Sequence, residues 1–157
     1  MTFKLSQKSL DRLDGVHDDL ISIVKEAITL SKVDFGVTCG VRTKSEQAKL
    51  VKAKVSKTMN SRHLIQESTG KSHAVDLMAY VGSRASWELN LYDDIADAMA
   101  QAARNKSANI VWGAAWSIGN IAQWNDSMES AMNSYIDLRR SQGRRPFIDG
   151  PHFQLEI

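Results

Sequence analysis

Asp149-Gly150-Pro151-His152-Phe153-Gln154 lies close to the C-terminus and is the stretch around which the rest of the sequence is interpreted. Two further candidate metal ligands lie far upstream of His152, namely His63 and Asp76. Two imidazoles and a carboxylate from separate parts of a chain can close on one zinc ion. Asp149 adds a second carboxylate three residues before the last imidazole. Three protein ligands, an open fourth position and a nearby base make up a hydrolytic zinc site.

These motifs resemble the zinc peptidases that cut peptidoglycan stem peptides, the D-alanyl-D-alanine carboxypeptidase and L-alanyl-D-glutamate endopeptidase family. The phage endolysins are the closest likeness. The family pattern reads Ser-x-His, a short glycine-containing step, Ala-x-Asp and, much later, Asp/Glu-x-x-His. The matching fragments cover nearly the whole chain and are, in order, Leu5-Ser6, Gly15-Val16-His17, Asp34-Phe35-Gly36-Val37-Thr38, Arg42-Thr43, Gln47, Ser61-Arg62-His63-Leu64, His73-Ala74-Val75-Asp76-Leu77, Trp112-Gly113 and Asp149-Gly150-Pro151-His152-Phe153-Gln154.

The resemblance implies a fold and a division of roles. The fold is α+β, a small antiparallel sheet flanked by helices in one Hedgehog/D-Ala-D-Ala-peptidase-like domain over residues 1–157. The implied cofactor is Zn²⁺, and the implied substrate is the peptidoglycan stem peptide. By role, the implied site residues are the metal ligands His63, Asp76 and His152, the catalytic residues Asp149 and Arg42, and the substrate-binding residues Ser61, Trp112 and Trp116.

The spacing between the first histidine and the aspartate departs from the family pattern. Twelve residues separate His63 from Asp76, where the usual pattern leaves six. A competing assignment therefore makes His73 the ligand. His73 and Asp76 are separated by an odd number of positions on a predicted strand, so they point to opposite faces and His63 is preferred. His17 is expected to lie at the surface or to cap a helix.

Two further departures concern the surroundings of the site. The family's Trp-Gly-Gly-Asp-Trp is replaced by Trp112-Gly113-Ala114-Ala115-Trp116, which lacks the acidic group. Cys39 stands where the resembling sequences often have glutamate. A small buried filler is the commoner role of such a cysteine, and no local feature supports a Cys–His nucleophilic site.

Apolar periodicity outlines the secondary structure. The predicted strands lie at 34–40, 73–81, 109–112 and 152–155, and Phe35, Val37 and Cys39 share one face of the first. Residues 60–69 are expected to be irregular, with a turn at 70–72. The passage at about 117–147 is longer than in the resembling enzymes and is a candidate lid, groove wall or plain structural insertion. The predicted helices lie at 5–13, 17–29, 45–54, 89–104 and along Met128, Ala131, Met132, Tyr135 and Leu138.

The composition is that of one globular domain with its own core. The 157 residues are 43% hydrophobic and 24% charged, with a net charge of +2. This charge is too small to indicate nucleic acid, although it mildly favours approach to an anionic cell wall. The lysine-rich stretch 44–57 lacks interleaved aromatic residues, so a solvated helix face is favoured over a single-strand binder. We expect a monomer without a nucleic-acid partner.

The cysteine count and the N-terminal residues bear on location. Cys39 is the one cysteine, which excludes an internal disulfide framework and suits a reducing cytosol. Residues 1–10 hold no apolar core of a secretory signal, and no apolar run approaches the length of a membrane span. The resembling phage enzymes are made in the host cytoplasm and reach the wall through lysis machinery, and the same route is expected here.

The leading hypothesis is a zinc-dependent endopeptidase that cuts between L-alanine and D-glutamate of the stem peptide and acts as a phage endolysin. One alternative keeps the mechanism but moves the cut to D-alanyl-D-alanine, as a carboxypeptidase. A second alternative is a cell-wall-binding protein with impaired catalysis, for which the missing acidic group between Trp112 and Trp116 is the main support.

Overall fold

The computed structural model describes residues 2–56 and 58–157, so Lys57 of the predicted basic stretch lies outside the described residues. The strands in this part of the chain are β1 Asp34–Cys39, β2 Ile65–Gln66, β3 Lys71–Ser72, β4 Ala74–Val81, β5 Arg84–Ser86, β6 Asn109–Trp112 and β7 His152–Glu156. Five of them form one antiparallel sheet in the order β1-β4-β7-β6, with β5 paired to the end of β4. β2 and β3 form a separate ribbon.

The helices begin where side chains cap their first backbone N–H groups. Ser6 accepts from the N–H of Ser9, and Thr43 and Glu46 form a reciprocal capping box. His17 Nδ1 accepts from the N–H of Asp19, so this histidine is the predicted cap. The helices of the described residues are α1 Gln7–Arg12, α2 Asp18–Leu30, α3 Lys44–Lys52, α4 Leu89–Lys106 and α5 Met128–Ser141.

The two faces of the sheet carry different residues. On β4, Val75 and Leu77 are fully buried in a core that includes apolar side chains of α2 and α4. Asp76 lies between them in sequence and therefore projects from the other face. The antiparallel register places Asp76 directly opposite His152 of β7 and Cys39 of β1. The polar residues of the site thus share the face of the sheet opposite the core.

A β-bulge in β1 decides where Cys39 lies. Alternation from Phe35 and Val37 predicts that Cys39 shares their buried face, and this prediction is wrong. The pairing with β4 shifts register between Val37 and Cys39, which brings Cys39 opposite Asp76. One extra residue in a strand moves the following side chain to the other face. Cys39 is therefore half-buried beside the polar cluster instead of filling the core.

The predicted fold class, a small antiparallel sheet flanked by helices, is confirmed. The prediction of an irregular segment at 60–69 followed by a turn misses the β2–β3 ribbon, and β5 is also missed. Leu138 is 43% exposed, so the buried stripe of α5 ends at Tyr135. No helix within residues 2–56 or 58–157 is long and apolar enough to cross a membrane.

Candidate metal centre and active site

Asp76 stands at the centre of a polar cluster on the face of the sheet opposite the core. Its Oδ1 lies 3.2 Å from His63 Nε2 and 3.2 Å from His152 Nδ1. The centroids of the two imidazoles are 5.2 Å apart. The Oδ2 atom lies 3.7 Å from Arg42 Nη2. Three separate segments of the chain thus bring the predicted ligands together around one carboxylate.

Each imidazole has its other ring nitrogen bonded to an acceptor. His63 Nδ1 lies 2.8 Å from the carbonyl oxygen of Gly40, and His152 Nε2 lies 2.8 Å from Oε1 of Gln154. Neither oxygen can donate, so both of these ring nitrogens carry a hydrogen. The nitrogens that face Asp76 are therefore the ones free to bind a metal, Nε2 in His63 and Nδ1 in His152.

The charges of the cluster stabilise one another without a metal. Burial alone would lower the pKa of His63, but its hydrogen bonds with Asp76 and Cys39 raise the pKa to about 10. Burial also opposes ionisation of Asp76, yet hydrogen bonds from His152 and His63 hold the pKa of this carboxyl well below its usual range. At neutral pH the His63 imidazolium therefore faces a carboxylate, and a metal at Nε2 would displace its proton.

Ligand atoms within 4.8 Å of one another occur in two groups of described residues, Cys39–His63–Asp76 and Asp76–Asp149–His152. Such groups can hold a metal ion. Cys39 Sγ lies 3.6 Å from His63 Nδ1, the nitrogen that already bonds to Gly40. A metal shared by that nitrogen and Cys39 would break this buried bond, which is costly. The geometry therefore favours a metal on the Asp76 side of His63.

Arg42 is held beside Asp76 by hydrogen bonds from its backbone N–H and from its guanidinium group. Its backbone N–H donates to the carbonyl oxygen of His63 at 2.9 Å. Its Nη1 donates to Oε1 of Gln47 at 2.8 Å. Gln47 is itself fully buried and donates to the carbonyl oxygen of Thr58 at 2.6 Å. The guanidinium thus has a defined place beside the polar cluster around Asp76.

Asp149 lies on a tight loop that leads into β7. Its N–H donates to the carbonyl oxygen of Gly113 at 2.8 Å, and the Gly113 N–H donates to the carbonyl oxygen of His152 at 2.8 Å. A Cβ atom at Gly113 would stand 2.2 Å from the Asp149 carbonyl oxygen, so this approach requires glycine. Burial, and then the negative charge of Asp76, raise the pKa of the Asp149 carboxyl. The predicted base is thus close to the cluster and more basic than an ordinary aspartate.

A groove of about 690 Å³ runs over the cluster. Ser61 and Trp116, two of the predicted substrate-binding residues, line it together with Phe147. The Trp116 ring stacks on Phe147 with 6.2 Å between centroids and lies 5.6 Å from the His152 ring. Ser61 Oγ accepts the N–H of His63 at 3.1 Å, so this hydroxyl also shapes the loop that carries the ligand.

Trp112 does not line the groove, and its predicted contact with substrate is wrong. The side chain is fully buried, with its ring stacked 6.2 Å from that of Phe153 in the core. Its Nε1 donates to the carbonyl oxygen of Gly150 at 2.7 Å. Trp112 therefore supports the loop between Asp149 and His152 from the core side.

His73, the competing candidate ligand, lies away from Asp76. Its Nε2 is 2.7 Å from Thr69 Oγ1, and its ring meets that of His17 edge-on with centroids 5.5 Å apart. The odd separation between His73 and Asp76 places them on opposite faces, as expected for a strand. Within the described residues it is His63 that supplies the first imidazole beside Asp76.

Several residues of the site are not identified from the sequence. Gln154 and Glu156 lie two and four positions after His152 on β7, so the three side chains share one face of the strand. This spacing could have predicted that they lie next to His152. The carbonyl of Gly40 has no such signal, because it depends on the path of the backbone after β1. Cys39 is displaced into the site by the bulge.

The chain is similar to known peptidases over nearly its whole length. The family model for the phage L-alanyl-D-glutamate peptidase matches residues 1–156. The L-alanyl-D-glutamate peptidase of Escherichia phage T5 is 24% identical over 160 residues, which cover 99% of each chain. The crystal structure of the L-Ala D-Glu endopeptidase ChiX of Serratia marcescens is similar, with a TM-score of 0.70 and 30% identity over 99% of this chain and 91% of that one.

The chain therefore belongs to the phage L-alanyl-D-glutamate peptidase family. This confirms the predicted family, the predicted enzyme class and the endopeptidase type of the leading hypothesis. The described residues include two groups of side chains that could hold a metal ion.

Proposed function

We propose that the chain is a zinc-dependent peptidase that hydrolyses the L-alanyl-D-glutamate bond of the peptidoglycan stem peptide. His63, Asp76 and His152 are the proposed zinc ligands. One observation carries the proposal, the approach of His63 Nε2 and His152 Nδ1 to the same carboxylate oxygen at 3.2 Å each. Two imidazoles and one carboxylate are a ligand set that catalytic zinc uses.

The donors also fit zinc in their chemistry. Each proposed ligand histidine already presents a ring nitrogen without a structural partner other than Asp76, because its second nitrogen is held by an acceptor. A bound zinc ion supplies Lewis acidity and lowers the pKa of water enough for attack near neutral pH. The groove gives a stem peptide access to this place.

Asp149 is the proposed general acid–base. Its carboxyl is close enough to Asp76 and His152 to share a group of ligand atoms within 4.8 Å, and its pKa is raised by burial. A carboxylate with a raised pKa is a better proton acceptor. Asp149 takes a proton from the attacking water and then passes it to the nitrogen of D-glutamate as that amine leaves.

Arg42 is the proposed stabiliser of negative charge on the attacked carbonyl. Its side chain lines the groove and is held by Gln47. A fixed cation close to a developing oxyanion is among the largest contributions to such catalysis. Because Arg42 and Asp76 also lie 3.7 Å apart, the guanidinium offsets part of the negative charge of the cluster.

We propose that the segment 117–147 contributes to the wall of the substrate groove through Phe147, which lines it. α5 packs on α4, and the segment ends at Phe147, which contacts Trp116 over the site. We propose that Ser61 and Trp116, which both line the groove, bind or orient the stem peptide. We further propose that the enzyme is a monomeric phage endolysin that acts on the wall after release from the host cytoplasm, in line with its family.

The proposal is tested by metal analysis of the purified protein together with mass spectrometry of digested peptidoglycan. The expected result is one zinc per chain and new peptides with N-terminal D-glutamate. Loss of the terminal D-alanine alone would instead identify a carboxypeptidase. Protein that sediments with wall fragments but releases no peptide would identify a binding protein with impaired catalysis.

A further inference from the structure

β7 carries three polar side chains on one face, at alternate positions. His152 Nε2 lies 2.8 Å from Gln154 Oε1, and Gln154 Nε2 donates to Glu156 Oε1 at 2.5 Å. Arg62 Nη2 donates to Glu156 Oε2 at 3.4 Å. We call Gln154, Glu156 and Arg62 the β7 relay, since they connect the imidazole to a cation at the edge of the groove.

The hydrogen bonds of the β7 relay can run in one direction only. The Glu156 carboxylate accepts and cannot donate, so the Gln154 amide must turn its NH₂ group toward it. The amide oxygen of Gln154 is then left for His152, and a carbonyl oxygen also only accepts. His152 must therefore carry a hydrogen on Nε2, which leaves Nδ1, beside Asp76, as the nitrogen that is available to a metal.

We propose that Gln154 and Glu156 are positioning residues that fix His152 in the tautomer whose Nδ1 binds the metal. Neither side chain is a proposed ligand, and Glu156 acts through Gln154. This inference rests on the proposed zinc-dependent function. His63 needs no side chain for this purpose, because the main-chain carbonyl of Gly40 already holds the hydrogen on its Nδ1.

The substitution Glu156→Gln keeps the size and shape of the side chain, but it no longer fixes which group of the Gln154 amide faces position 156. An amide at position 156 can either donate or accept, so the Gln154 amide is free to reverse and to offer its NH₂ group to His152. The expected result is a zinc affinity lower by about 10- to 100-fold, the usual effect of losing a partner of a ligating histidine. Long-range ¹H–¹⁵N spectra of the zinc-bound protein should show the Nε2–H signal of His152 shifted and broadened, because zinc keeps the hydrogen on Nε2 but this hydrogen has lost its fixed acceptor.

The double variant Gln154→Glu with Glu156→Gln exchanges the two side chains, so composition and charge are unchanged. It restores a fixed acceptor at position 154 for the hydrogen on His152 Nε2. A carboxylate at 154 can only accept from His152 Nε2–H, and the amide at 156 can donate to it while accepting from Arg62. Zinc affinity and the Nε2–H signal should return close to those of the original protein. A role in packing or net charge alone would not predict this rescue.

Glu26→Gln on α2 is the matched control, since Glu26 is half-buried like Glu156 and accepts a side-chain hydrogen bond from Asn105 far from the site. Its zinc affinity, measured by competition with a chelator, should be unchanged. If Glu156→Gln kept full zinc affinity and an unchanged Nε2–H signal, or if the exchange were as defective as the single variant, the β7 relay would be refuted. An original protein that binds no zinc would overturn the proposed function as well, so the two failures are distinguishable.

Discussion

The two imidazoles of the metal centre are held in opposite ways. His63 is fixed by a backbone carbonyl, and Gly40 can deliver this carbonyl only because it lacks a side chain, since a Cβ there would lie 2.2 Å from the carbonyl oxygen of Arg12. His152 is fixed by the side chains of Gln154 and Glu156. The chain path therefore determines the His63 half of the site, whereas side chains that can be exchanged determine the His152 half.

We expect the largest loss of zinc binding and activity from substitution of Asp76, which both imidazoles approach. Asp76→Asn replaces the carboxylate oxygen that both imidazoles approach with a neutral amide of the same size. We expect zinc binding and peptidoglycan hydrolysis to fall below detection, because a neutral amide is a poor zinc ligand and removes the carboxylate that faces Arg42. Metal content after dialysis checks this, and Asp94→Asn on α4 serves as a control, since Asp94 is half-buried like Asp76. Retained zinc in Asp76→Asn would remove Asp76 as the shared ligand.

Asp149→Asn should separate metal binding from catalysis. Both histidines keep their partners in this variant, so zinc content should be unchanged. The rate of stem-peptide cleavage should fall by about 10²- to 10⁴-fold, the usual contribution of a general acid–base. Cleavage is measured by release of D-glutamate N-termini from purified wall. Near-normal cleavage would assign the base to another residue.

Zinc binding at His63 should depend strongly on pH. Its pKa is raised to about 10 in the metal-free protein, so zinc must displace a proton at neutral pH. We expect release of about one proton per zinc bound at pH 7, and an apparent affinity that rises about tenfold per pH unit between pH 7 and 9. Calorimetry in buffers of different ionisation enthalpy measures the protons released. Zinc binding without proton release would place the ion elsewhere.

The same shift predicts how the metal-free protein depends on pH. A raised pKa means that the His63 imidazolium stabilises the fold fully below the unfolded value of 6.5 and that this stabilisation is lost as the pH rises toward 10. On the acid side the lowered pKa of Asp76 means that its contribution is present above its ordinary value of 3.8 and is lost as the pH falls toward the lowered pKa. Denaturant unfolding of zinc-free protein should therefore show greatest resistance between about pH 4 and 6.5 from this pair.

Cys39→Ala should have the smallest effect. Cys39 Sγ is 3.6 Å from His63 Nδ1, but the Gly40 carbonyl is the closer acceptor at 2.8 Å and remains in this variant. We expect zinc content to be unchanged and cleavage to fall less than about threefold, as for loss of weak contacts from a thiol to His63 and Arg42. A loss of zinc in Cys39→Ala would support the alternative metal group of Cys39, His63 and Asp76.

The sequence predicts the helices, four strands of the main sheet and the residues that meet at Asp76, because these follow from periodicity and from motifs with a fixed order. It does not predict the bulge after Val37, since a one-residue shift in pairing depends on how β1 and β4 fit together. For the same reason the position of Cys39 is wrong. Trp112 is misassigned because an aromatic residue in a site motif can equally support the site from the core.

Anomalous diffraction at the zinc absorption edge, from crystals of the zinc-loaded protein, tests most directly whether His63, Asp76 and His152 share one ion. We predict one ion about 2.0–2.2 Å from His63 Nε2, from an Asp76 oxygen and from His152 Nδ1, with a further position open to the groove. Zinc bound to Cys39 Sγ, or to His63 through Nδ1, would contradict it. Crystals that show no ion at Asp76 despite full zinc content would contradict it equally.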